Sequence, residues 1–495
     1  MNSPRARRQP AATFVLVRAW PLPLACALLM GACAVGPEFE RPKPPAVQVY
    51  DTPEPGSSDA TGSTIAERRY AAADVPAQWW QLFKSSSLDQ TLRLAIADSP
   101  TLAAANATLG EAREAILVAR AGYLPRIGAT AGTQRGNVGS SGSPSSAATA
   151  YSVGFATTYT FDAFGATSRL VEQQESLAQM QRYQLAAAYL ALTGNVVIES
   201  LTIASTQLQI ATTQDLLADD QRNLDLTQRE FEVGAVARAD VLTAESQLAA
   251  DQATLPSLRQ QLSAARHALA ILVGKTPGEW SAPQFEFREF TLPVELPVSL
   301  PSALIRRRPD ILASEAQLHA ASAAIGIAVA QKYPTITLSA LLTRESLRSA
   351  DLFHDFDTLW TVGGALTQPL YQGGALRAQE RAARDAFTAQ AASYRQVVLE
   401  AFGQVADDLR ALEHDAARVA AYERAVRVSG DALALQRASY AAGKTNVLQL
   451  IDAERSYAQA RLGSVAAEVE QMEDAAQLFV ALGGGWWNTS LVPPN

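Results

Sequence analysis

The sequence predicts a mixed α+β membrane protein built from two internal repeats, and three observations carry that prediction. The 495-residue chain repeats itself at a constant step. Pro309 answers Pro100 and Ile325 answers Ile116, as do Pro334 and Pro125, Gly443 and Gly234, and Gly483 and Gly274. Short runs of alternating, almost uncharged residues predict strands suited to lipid. Two proline-free stretches of nearly 70 residues predict helices about 100 Å long at 1.5 Å per residue. Each copy is far longer than the 20–50 residues of a solenoid repeat. Two such copies make a pseudo-symmetric object whose function lies on the shared axis, not in one catalytic pocket.

In chain order, Arg5, Arg7, Arg8 and Arg18 precede an apolar run, Leu22 to Met30, and then Gly31-Ala32-Cys33. This is the layout of a secretory signal peptide, residues 1–32. Ending on cysteine, it predicts that Cys33 is the first mature residue and carries the acyl chains, palmitate among them. Removing the leader removes four arginines and no acids, so the formal charge moves from −8 to about −12. That balance disfavours nucleic acid as a partner. One mature cysteine excludes an internal disulfide.

Residues 33–87 begin as a Pro-, Gly- and Ser-rich arm and end in Trp79-Trp80 and Leu82-Phe83, an apolar anchor for it. The first repeat spans 88–274 and the second 300–483, with a linker at 275–299 and a tail at 484–495. Each opens with a helix, Leu88 to Ala121 and Pro301 to Gln331. Tyr123-Leu124-Pro125 and Lys332-Tyr333-Pro334 then end the helices and open strand pairs at 123–161 and 333–370. Tyr151, Val153, Phe155, Thr157, Tyr159 and Phe161 alternate with small or hydroxylated residues. So do Trp360, Val362, Gly364 and Leu366, and Ile336, Leu338, Ala340 and Leu342. A half-buried soluble strand carries charge on its polar face; these carry almost none, which fits a membrane β-barrel. Tyr151, Tyr159, Phe161, Trp360 and Tyr371 are candidates for its aromatic girdle, in contact with outer-membrane lipid. The long helices run from Ala166 to Val233 and Ala375 to Ala442. Turns at Gly234 and Gly443 lead to returning helices, Asp240 to Val273 and Gln449 to Leu482, the first broken by Pro256. No later stretch approaches 18 consecutive apolar residues, the length of a spanning helix.

Four strands are too few to enclose a pore, yet every backbone amide in lipid must be paired. A closed barrel therefore needs several chains in a ring, with the helices continuing it as a second cylinder into the periplasm.

The chain resembles the TolC/OprM-like outer-membrane factor family, in its NodT lipoprotein branch. The resemblance rests on Cys33-Ala34-Val35-Gly36-Pro37 with Arg41-Pro42, Leu300-Pro301-Ser302 leading to Arg308-Pro309-Asp310-Ile311, and Leu370-Tyr371-Gln372-Gly373-Gly374. Gly443 with Val447-Leu448 and Asp452-Ala453-Glu454, and Ala481-Leu482-Gly483-Gly484-Gly485-Trp486, complete it. It implies a homotrimer with a twelve-stranded barrel, four strands per chain, equatorial segments at 33–87 and 275–299, and an α-helical barrel closed at its periplasmic tip. It implies the outer-membrane duct of a tripartite efflux system, working with a periplasmic adaptor and an inner-membrane transporter of RND or MFS type. The adaptor would dock on the hairpin turns at Gly234 and Gly443.

The same resemblance assigns a gate to Asp240 and Tyr440, and a constriction to Gln449 and Asp452. Thr445 stands where relatives carry a gating arginine, which questions the salt-link part of the lock. Read without the family, Asp240, Glu245, Asp452 and Glu454 are solvated charges near helix starts, stabilised by the helix dipole. Catalysis finds no support: His267, His319, His354 and His414 lack metal-ligand spacing, and no phosphate loop, nucleophile elbow or dinucleotide motif occurs. No enzyme activity, metal or cofactor is expected. Two rivals are a duct for type I protein secretion and a coiled-coil structural lipoprotein without a pore.

Overall fold

The computed structural model describes residues 34–43, 50, 70–71, 75–138, 146–293, 296–297, 301–354 and 357–488. The leader and Cys33 lie outside them. The chain forms two compact units. One holds residues 120–171 and 323–381 with 34–37 of the arm; the other holds the remaining described residues.

The first unit is built on one antiparallel sheet. Its strands are β2 (Arg126–Val138), β3 (Ser146–Phe161), β5 (Thr335–Ser346) and β6 (Asp357–Thr367), in the order β2-β3-β5-β6; the short strands β1 (Tyr70–Ala71) and β4 (Leu296–Pro297) pair with each other elsewhere. Register decides which side chains share a face. Phe155 lies opposite Ala129 and Leu342, and Leu342 opposite Trp360. Tyr159 lies opposite Leu338, and Ile336 lies between Phe161 and Leu366. Most apolar residues of the four strands thus form one face, with Leu341 and Leu359 lying on the other, and the apolar face is bare: Ile127 is 73 % exposed, Trp360 70 % and Val362 74 %. The opposite face carries Thr130, Gly132, Ser152, Ala156, Ser339, Thr361 and Gly363. Among the described residues, β2 and β6 each keep one edge without a strand partner.

Asp162 ends this sheet and starts a helix. Its carboxylate accepts from the backbone N–H groups of Thr167 and Ser168, at 3.0 and 2.9 Å, and so caps α3 (Ala166–Glu232). The arm is pinned nearby. Val35 N–H donates to the Phe164 carbonyl at 3.2 Å, and Arg169 Nε donates to the Val35 carbonyl at 3.2 Å. Gly36, at φ 105°, lies so close to Gly326 that a Cβ would come within 2.5 Å of the Gly326 Cα.

The second unit is helical. The helix expected over Leu88 to Ala121 is two, α1 (Ser86–Asp98) and α2 (Pro100–Arg120). Pro100 holds Ser99 in an extended conformation (ψ 119°), which the α-helix cannot continue through. In the second repeat α6 (Pro301–Leu304) passes into a turn over residues 305–307, and Pro309 opens α7 (Pro309–Ala330). The long helices are continuous, α3 and α8 (Ala375–Ala441), each 67 residues. The first returning helix is broken into α4 (Arg238–Gln252) and α5 (Thr254–Leu272). Pro256 lacks the N–H that would reach the Gln252 carbonyl. Its counterpart α9 (Val447–Ala481), without proline, runs unbroken.

The core of this unit gathers Trp79, Trp80 and Phe83, all essentially buried, with Leu88, Leu92, Val196, Val197, Leu201 and Phe479. Trp79 stacks on Phe479 at 5.4 Å, so the Trp-Trp anchor rests on the end of α9. One 18-residue window of α3 is apolar enough to cross a membrane by composition, against the expectation that none is; 61 % of it is buried inside the chain, which makes it core. The arm residues of this unit follow α7: Phe39 stacks on His319 at 4.3 Å, His319 Nε2 lies 2.8 Å from Glu172 Oε1, and Arg41 pairs with Glu315 at 2.5 Å.

Candidate functional site

The candidate gate lies where the long helices turn back. Helix α3 ends at Glu232 and α8 at Ala441. Both endings require a left-handed residue, supplied by Gly234 (φ 75°) and Gly443 (φ 66°). Ala235 N–H then donates to the Glu230 carbonyl at 2.8 Å, and Lys444 N–H to the Ser439 carbonyl at 2.9 Å, closing Schellman caps. A small apolar core joins the two hairpins: Leu224, Val241, Ala244, Leu248, Val447 and Ile451. Tyr440 is half-buried against it.

Asp240 and Tyr440 are not paired with each other in this chain. Asp240 accepts the Ala237 backbone N–H at 2.9 Å and caps the first turn of α4. Tyr440 instead donates its hydroxyl to Glu230 Oε1 at 2.5 Å, linking α8 to α3. Burial, and then the Glu230 carboxylate, push the Tyr440 phenol up to about 12. Sequence reasoning missed Glu230, because nothing in its spacing marks it. Gln449 donates its N–H to the Asn446 side chain, which caps α9, and its Oε1 accepts from Gln436 at 3.1 Å. Asp452 is exposed. The Thr445 hydroxyl is buried and has no partner among the described residues.

Ion pairing between hairpins comes from a residue that the sequence did not single out. Arg437 on α8 donates to Glu454 on α9 at 2.9 Å and lies 3.4 Å from Asp219 on α3. Asn223 donates to the other oxygen of Glu454 at 2.6 Å. Glu454 is therefore a buried, fully bonded group and not the solvated charge that its place near a helix start predicts. Below it, burial and then Asp251, Glu454 and Asp219 push the Asp220 carboxyl up to about 7.

Tyr151, Tyr159, Phe161 and Trp360 share the bare face of the sheet. Register puts Trp360 level with Phe155, between Tyr151 and Tyr159. Tyr371 follows β6 and is 89 % exposed.

Comparison with known proteins gives one picture. The family model described as outer membrane efflux protein matches residues 91–275 and again 300–484. Nodulation protein T of Rhizobium leguminosarum bv. viciae is 29 % identical, over 94 % of each chain. The pyoverdine export outer membrane protein OpmQ of Pseudomonas aeruginosa is 27 % identical, over 94 % of this chain and 96 % of that one. The outer-membrane channel OprN superposes with a TM-score of 0.82 at 27 % identity, covering 92 % of this chain and all of that one. The open state of the Neisseria gonorrhoeae MtrE outer membrane channel gives 0.79 at 26 % identity, covering 92 % and 99 %.

Proposed function

The chain belongs to the outer membrane efflux protein family, and from that premise we propose how this channel is assembled, anchored and shut. Members are passive channels of the Gram-negative outer membrane that extend into the periplasm, and this chain is an efflux channel, not an enzyme. Three copies join their sheets into a twelve-stranded barrel, and their helices continue it as a tube. Acyl chains on Cys33 add a lipid anchor. Tyr151, Tyr159, Phe161, Trp360 and Tyr371 meet the membrane interfaces. The hairpins at Gly234 and Gly443 form the periplasmic tip, shut at rest and docked by the adaptor, with Tyr440, Asp240, Gln449 and Asp452 around the opening. An inner-membrane transporter of RND or MFS type supplies the energy.

The observation that carries this reading is the sheet β2-β3-β5-β6, with one bare apolar face and two unpaired edges. In lipid such edges cost several kcal/mol per unsatisfied group, and pairing β6 of one copy with β2 of the next removes the cost. The same bare face disfavours a structural lipoprotein without a pore. A relative named for pyoverdine export favours small-molecule cargo over a secreted protein. Native mass spectrometry in detergent and single-channel recording test it together: a trimer with a low, gated conductance is expected, and a stable monomer without conductance would refute it.

A further inference from the structure

The two repeats share one plan but differ at one height of their hairpins. Pro256 interrupts the first returning helix where α4 meets α5, and Val465 stands at the matching place of the unbroken α9. Proline leaves the Gln252 carbonyl without its helical donor and pushes the chain aside. Side chains patch the break. The Thr254 hydroxyl donates to the Asp251 carbonyl at 2.8 Å, and the Ser257 hydroxyl to the Thr254 carbonyl at 2.7 Å; such hydroxyl bonds accompany bent helices. On the tip side of the break α4 is tied to α9. Arg455 donates to Gln247 Oε1 at 2.9 Å, and Gln247 donates to Asp251 Oδ2 at 2.5 Å. Movement of α9 is therefore passed to α4.

Packing at that height differs too. In the second repeat the Tyr422 ring of α8 lies so close to Gly463 of α9 that not even a Cβ fits between them. A contact of the same kind runs the other way: a Cβ on Gly430 of α8 would fall 3.3 Å from the Tyr457 ring of α9. Each helix sets a ring on a glycine of the other, which holds the pair as one body. In the first repeat Thr213 stands for Tyr422 and Thr254 for Gly463. Threonine is too short to fill the space that the Tyr422 ring fills, and Thr213 and Thr254 line a half-open cavity of about 350 Å³ between α3, the break and α9. Within one chain no residue from 249 to 264 is buried, whereas Ala458, Ala460, Ala467, Val469 and Met472 of the matching stretch are. Sparse packing marks a segment of low local stability.

We propose that residues 251–257 are a joint in the first hairpin: when the periplasmic tip opens, α4 swings about it relative to α5, while α8 and α9 move together as a rigid rod. A few element-terminal residues beside open space are what a hinge requires. The joint rests on the reading of these hairpins as the channel's tip, and hydrogen exchange, which needs no conducting channel, separates the two.

Hydrogen exchange on the purified full-length trimer compares residues 250–257 with residues 459–466. The first set is expected to exchange at least about ten-fold faster, since a proline inside a helix costs more than that factor in local stability. Thr213→Tyr, Thr254→Gly and Pro256→Val together carry the second repeat's residues into the first. They should slow exchange over 250–257 to the level of 459–466 and lower the frequency of single-channel openings about ten-fold in step. Pro256→Val alone restores only the backbone donor and should give part of both effects, so the test stands even where the triple variant does not assemble. Equal exchange of the two stretches in the parent overturns the joint. Protection of 250–257 with an unchanged opening frequency overturns its part in the gate. A parent trimer without any conductance counts against the channel reading instead, and the exchange comparison still judges the joint.

Discussion

The Tyr440 hydroxyl donates to Glu230 Oε1 at 2.5 Å, and this bond ties the end of α8 to the end of α3, within four residues of both hairpin turns.

Tyr440→Phe removes that bond and leaves the apolar ring in place. The loss is about 1–2 kcal/mol for a hydrogen bond to a charged group. Closed-state leak conductance in planar bilayers should rise, with no change in trimer yield. Asp240→Ala should act differently. Asp240 caps α4, so its loss costs about 1 kcal/mol of local helix stability and frays α4, as faster hydrogen exchange over residues 237–243 would show. A leak equal in the two variants would contradict this division of roles.

The raised Asp220 carboxyl predicts a pH dependence near the tip. Its folded value of about 7 lies above its ordinary value of 3.8, so the folded chain holds the proton more tightly than the unfolded chain. Its contribution to stability is therefore full below about pH 4 and is lost as pH rises towards 7. Asp220→Asn should flatten this fall and raise the melting temperature at pH 8 relative to the parent, while the two proteins converge at pH 4. Asp474, also pushed up to about 7, leaves a residual slope in the variant.

The two faces of the sheet should answer differently to charge. Val362→Lys puts an ammonium on the bare apolar face and costs about 2–4 kcal/mol of membrane stability. The yield of assembled trimer in outer-membrane fractions should fall sharply. Ser339→Lys, on the opposite face, should assemble at near-parent yield and shift ion selectivity towards anions.

Gly36→Ala tests the pinned arm. A Cβ there meets Gly326 at 2.5 Å, and the backbone already sits at φ 105°. Overpacking of about 1–3 kcal/mol should lift the arm and speed its cleavage in limited proteolysis, with the sheet and helices unaffected.

Much of the fold is legible in the sequence because repetition and periodicity are local signals. Helices α3 and α8 end where the lack of proline and the paired glycines place them, and the strands follow their alternation. The helices that periodicity predicts run across Pro100 and Pro309, but an extended Ser99 divides the first and a turn over residues 305–307 divides the second. The gate was legible only as far as the turns. Tyr440 chooses Glu230, and Arg437 reaches Glu454 and Asp219, through contacts between residues about 210 or more positions apart or on facing helices. Composition and spacing carry no trace of such pairs. Trp360 is a related case: its height among the aromatics follows from strand register with Leu342, which no single strand records.

The unpaired rims of β2 and β6 also govern how the molecule is made. A freshly exported subunit is an adhesive intermediate, with two rows of amides seeking any extended segment. Its yield should depend on how quickly sister copies meet, steeply with their concentration, and a chaperone that shields those rims would raise it without touching the finished pore.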